Sequence, residues 1–60
     1  MPGFSQSELN SIREVVACHQ TTANKLNEYA NQCQDSNVKQ MFTKAAQDAT
    51  NNAQNLIQML

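Results

Sequence analysis

The sequence predicts an all-α fold, an antiparallel two-helix hairpin that dimerises into a four-helix bundle. Three observations predict it. Leu9, Ile12, Val16, His19, Ala23, Leu26, Ala30 and Cys33 follow an unbroken alternation of three- and four-residue steps, which is the seam of an amphipathic helix that packs on other helices. A second apolar stripe follows after the short polar break Gln34-Asp35-Ser36-Asn37. The chain has 60 residues, close to the lower limit for a domain that folds alone. Two helices touching along one seam cover too little apolar surface, and a second copy supplies the missing partner.

Residues 1–4 read as a flexible leader, because Pro2 and Gly3 precede the first helix signal. Ser5 and Glu8 have the S-x-x-E spacing of a capping box, and Phe4 and Leu9 have the spacing of a hydrophobic staple. Ser7 competes as a cap, so the start is set to within about two residues. From Gln6 to Gln34 there is no Pro or Gly, and Ala, Leu, Glu, Lys and Gln sustain a helix over about 6–34. Thr21 and Thr22 are weak helix formers that do not break it. Arg13, Asn24, Asn27, Glu28 and Asn31 make the opposite face polar.

The turn falls at about residues 35–36. Asp35 is a good N-cap, and Ser36 and Asn37 suit a first helical turn. So short a link joins antiparallel neighbours. The second helix spans about 36–59, with Val38, Phe42, Ala45, Ala46, Ala49, Ala53, Leu56, Ile57 and Leu60 on its apolar face and Met41 and Met59 at the edges. The middle of that face is alanine and its ends are bulky, so the helices can approach closely at mid-length. The seam expected between protomers is Leu9, Ile12, Val16, His19, Ala23, Leu26 and Ala30 on the first helix, with Val38, Phe42, Ala45, Ala49, Leu56 and Leu60 on the second.

Four Lys/Arg oppose five Asp/Glu for a net charge of −1, and Arg13, Lys25, Lys39 and Lys44 are scattered. With no basic patch there is little counterion release to gain from phosphates, so no nucleic-acid partner is expected. Charged residues make up 15% of the chain, while Asn and Gln number eight each. Such a neutral surface suits either an ordinary solvated face or an adhesive face within a dense protein layer, since low net charge favours association. No apolar run is long enough for a transmembrane helix, and the start has neither the basic region nor the apolar core of a signal peptide, so synthesis in the cytoplasm without membrane insertion is expected.

The chemistry-bearing residues are few. His19 is the only histidine, and its helical neighbours are Val15, Val16, Thr22 and Ala23, none of them a carboxylate or thiolate. A core or boundary histidine is the expected role. A metal site, with His19 as its weak candidate, would need a second chain across a symmetry axis. Glu14 and Glu28 lie far apart along the outer face, Gly3 is the only glycine, and there is no C-x-x-C. Activated nucleophiles and paired acids are absent, so neither an enzyme nor a bound cofactor is expected. Cys18 and Cys33 are both placed on the first helix, where 15 residues separate them by about 22 Å. A disulfide needs Cα atoms within about 7 Å. Cys33 then serves as a small buried hydrophobe, and Cys18 on the flank is open to an intermolecular link. Tyr29 and Phe42 are lone aromatics that pack at the hairpin or dimer seam, without the basic setting of a base-stacking platform.

The segment Asn27-Glu28-Tyr29-Ala30-Asn31-Gln32-Cys33-Gln34-Asp35, then Val38-Lys39-Gln40-Met41-Phe42, Ala45-Ala46-Gln47 and the closing Leu56-Ile57-Gln58-Met59-Leu60, resembles small spore coat proteins of the coat F type from spore-forming Firmicutes. The resemblance covers roughly residues 9–60, through motifs of helix-turn-helix type that are low in chemical content. It implies a ferritin-like four-helix bundle, a place in or around the spore coat, and other coat proteins as partners beside a second copy. Relatives tend to have glutamate where this chain has His19, and histidines where it has Ala49 and Asn52. Those are the positions at which a ferritin-like bundle holds metal. The resemblance therefore implies a structural derivative that keeps the seam without its ligands. Two rivals are a metal-binding ferritin-like half-bundle using His19 with a partner's carboxylates, and a helical adaptor whose seam binds a different protein.

Overall fold

A computed structural model describes residues 3–60. The chain is an all-α helical hairpin, with α1 at Gln6–Gln32 and α2 at Ser36–Gln58. Residues Met1 and Pro2 of the expected leader lie outside the described residues; Gly3 and Phe4 precede the helix without regular structure.

Each helix begins on a side-chain cap. The Ser5 hydroxyl accepts from the Glu8 N–H at 3.1 Å, and the Ser5 N–H donates to Glu8 Oε1 at 2.8 Å, which completes the capping box. Phe4 and Leu9 are both half-buried beside it, as a staple requires. At α2, the Asp35 carboxylate accepts from the N–H groups of Asn37 and Val38 at 2.9 and 3.0 Å. Both caps satisfy donors that a helix cannot pair internally.

The bonds from the Ser5 N–H, and then from its hydroxyl system, hold the Glu8 carboxyl below its ordinary pKa. The folded chain thus binds this proton more weakly than the unfolded chain. The cap's contribution is complete above the ordinary glutamate value of about 4.3 and is lost as pH falls through the lowered folded value. Acid titration of helicity should show this step in the wild type and not in Glu8→Gln. Ser5→Ala should cost about 1 kcal/mol at neutral pH, read by thermal unfolding.

α1 stops at Gln32, two residues before the end near 34 read from sequence. The reason is local. Cys33 is extended (φ −73°, ψ 135°), and its N–H closes the helix by donating to the carbonyls of Tyr29 and Ala30 at 3.0 and 3.3 Å. Cys33 is therefore the C-cap and not a helical residue. Asp35 is also extended (φ −76°, ψ 122°). Two extended caps around Gln34 reverse the chain with no positive-φ residue among those described, so this turn needs no glycine, unlike the left-handed helix ends that favour one.

The helices pack as a single layer, 48 × 16 × 9 Å across the Cα positions. Among the described residues, Ala23, Ala30, Ala46, Ala49 and Ala53 form the whole buried apolar core. Ala23 and Ala53 line one groove together with Gln20, Asn24, Thr50 and Gln54. α1 has 27 residues and α2 has 23, about 40 and 35 Å at 1.5 Å per residue. The first turns of α1 thus reach past the end of α2. Near the turn the Tyr29 and Phe42 rings pack with centroids 5.9 Å apart, tilted by 55°, a favourable arrangement for aromatic quadrupoles.

Candidate interaction surface

The eight positions from Leu9 to Cys33 are the only residues from Gln6 to Cys33 that are not exposed. Ala23 and Ala30 are buried, while Leu9, Ile12, Val16, His19, Leu26 and Cys33 are half-buried. On α2, the residues that are not exposed are Phe42, Ala45, Ala46, Ala49, Ala53 and Leu56. Val38 and Leu60, read from sequence as part of the seam, are exposed in the hairpin. Ala46 and Ala53, each 3% exposed, belong at its centre. The signal for them lay in the 3-4 spacing, which runs without a break through Phe42, Ala46, Ala49, Ala53 and Leu56. Val38 fits a 3-4 spacing too, through Phe42, Ala45 and Ala49, and it is the rotation of α2 against α1 that leaves it exposed, while Leu60 lies past the end of α2.

The hairpin has two unlike broad faces. Successive helical residues turn by about 100°. From the Ala23–Ala30 line, Gln20, Asn24, Asn27 and Asn31 turn to one flank, and Val15, His19, Leu26, Tyr29 and Cys33 turn to the other. From the Ala49–Ala53 line, Lys39, Thr43, Thr50 and Gln54 turn one way, and Val38, Met41, Ala45, Leu56 and Met59 turn the other. A groove lined by Gln20 and Asn24 together with Thr50 and Gln54 ties the two polar flanks into one face. The apolar flanks make the opposite face. Leu9 and Ile57 are the large apolar exceptions on the polar side, and Glu8, Ser11, Thr22 and Asn52 are the polar exceptions on the apolar side.

The polar face satisfies its hydroxyls internally and leaves most of its amides to water. The Thr43 and Thr50 hydroxyls donate to the carbonyls of Lys39 and Ala46, four residues back, at 2.9 and 3.0 Å. All sixteen Asn and Gln side chains belong to exposed residues, and Gln6–Asn10 and Gln47–Asn51 pair along the helices at 3.2 Å. At the outer rim of the apolar face, Lys44 Nζ meets Asp48 Oδ1 at 3.0 Å. Both side chains are mostly solvated, so this pair adds little stability, though it keeps the rim neutral.

His19 is half-buried on the apolar flank. Of the positions where the coat F resemblance expects histidine, Ala49 is buried in the seam and Asn52 is exposed. Among the described residues, no group of three or more His, Cys, Asp or Glu is placed to hold a metal ion. Both cysteines are free, with Cys18 exposed and Cys33 half-buried at the turn. No helix among the described residues is long and apolar enough to cross a membrane.

No protein-family model, curated protein or solved structure matches this chain.

Proposed function

We propose that this protein is a non-enzymatic structural or assembly component that works by associating with a second copy of itself to form a four-helix bundle. One observation carries this function. The hairpin buries only alanines, and every larger apolar side chain among the described residues remains half-buried or exposed. Its shape has the same implication. The radius of gyration is 14.4 Å, against about 10 Å for a compact domain of this length. The accessible surface is 4616 Å², roughly 700 Å² more than a compact folded monomer of this mass exposes.

Sedimentation equilibrium of the isolated chain at micromolar concentration tests the proposal. A folded dimer is expected. An unfolded or molten monomer would overturn self-association in favour of a helical adaptor that needs a different protein.

The place of action we propose is the spore coat or its surroundings, with other coat proteins as further partners and synthesis in the cytoplasm of the sporulating cell. This location rests on the sequence resemblance alone. Immunodetection in fractionated spores is the direct check: signal in the coat fraction is expected, and signal confined to growing cells would reject it.

A further inference from the structure

We infer that the second copy docks on one particular broad face of the hairpin, the one carrying Val15, Leu26, Tyr29, Met41, Leu56 and Met59, and that association through it closes at a dimer. This rests on the self-association proposed above and adds the surface and its stoichiometry.

The two faces differ in chemistry, so only one gains by leaving water. On the chosen face Met41 is 70% exposed, Met59 51% and Tyr29 46%, and burying such side chains is worth about 25 cal/mol per Å² of apolar area. The opposite face presents the amides and hydroxyls of Gln20, Asn24, Thr50 and Gln54, which lose water contacts on burial without a matching apolar gain.

Area points to a second copy as the occupant. The Cα outline of a broad face, 48 × 16 Å, encloses an area of the order of the 800 Å² per partner that a stable interface buries. A copy of the same face matches it in length, width and apolar character. Charge opposes the pairing little, because the chain carries a net −1, the rim charges Lys44 and Asp48 neutralise each other within one chain, and Glu8, the charge on this face of α1, lies in its first turn and is bonded by the Ser5 N–H. When two layers stack through their apolar sides, both outer surfaces are polar. A two-fold contact of this kind uses the same patch on both copies and leaves no apolar patch for a third.

The test compares two double variants of the full chain that add the same charge. Met41→Lys with Met59→Lys places it on the apolar face, at side chains the hairpin itself leaves exposed. Gln20→Lys with Gln54→Lys places it on the polar face. Sedimentation equilibrium should show the first weakening dimerisation by about 100-fold or more, as desolvated unpaired ammonium groups require. The second should stay within about threefold of the wild type. Loss of both dimer and helicity in the methionine variant, with the glutamine variant folded and dimeric, also supports the inference.

A second measurement needs no variant. Peroxide oxidation of Met41 and Met59 should be slow in the dimer and accelerate on dilution below its dissociation constant. Equal weakening by both variants, or stronger weakening by the glutamine variant, overturns the face and leaves self-association standing. Wild-type species larger than a dimer overturn the closure. A wild type that is monomeric at all concentrations removes both this inference and the function it rests on.

Discussion

Ala46→Leu should be among the most damaging single substitutions in this hairpin. Ala46 is 3% exposed, on the face of α2 that meets α1. Three extra carbons there would push apart backbones that alanine lets come close, and overpacking of this kind costs about 1–3 kcal/mol. In a domain this small, such a loss lowers the unfolding midpoint by many degrees. Ala17→Leu is the control. Ala17 is exposed on α1, and leucine is almost as good a helix former as alanine, so little change is expected. Thermal unfolding followed by circular dichroism compares the two. If both variants were equally stable, the alanine contact would not hold the helices together.

Leu26→Asp should be the most damaging change to the assembled protein. Leu26 is half-buried within the hairpin and turns toward the apolar face. The hairpin alone leaves its side chain partly wet, so much of the effect depends on the second copy. In the dimer, aspartate at this position would be an uncompensated buried charge, worth about 3–5 kcal/mol in loss of stability. Unfolding over a range of protein concentrations separates the two contributions. The wild-type midpoint should rise with concentration, because a partner that binds only the folded state stabilises it by mass action. The Leu26→Asp chain should be less stable and show no such rise. A variant that kept the wild-type concentration dependence would remove Leu26 from the dimer contact.

The caps and the stripe were legible because they are local. Ser5 with Glu8 and Asp35 with the next N–H groups satisfy donors within one helical turn, so their spacing in the sequence is enough to identify them. The stripe from Leu9 to Cys33 follows from helical periodicity in the same way. The early end of α1 was less visible. Cys33 continues the apolar 3-4 spacing of the stripe, so periodicity carries it into the helix, whereas its extended backbone is set by the neighbouring cap at Asp35 and the need to reverse the chain.

The seam on α2 was harder to place because its apolar arc is wide. Val38, Ala45, Ala46, Ala53 and Ile57 all border that arc, and composition does not say which of them meets α1. Docking in the hairpin selected Ala46, Ala49 and Ala53 and left Val38 and Ile57 exposed. By itself the sequence determined two capped helices, their lengths to within about two residues, and an apolar stripe on each. Only the tertiary structure decided which part of each stripe the two helices spend on one another, and hence that the remainder gathers on one broad face opposite the amides. The physical reason is that periodicity fixes the direction of a side chain around its own helix, whereas the side of the molecule it ends on depends on how the two helices are rotated against each other.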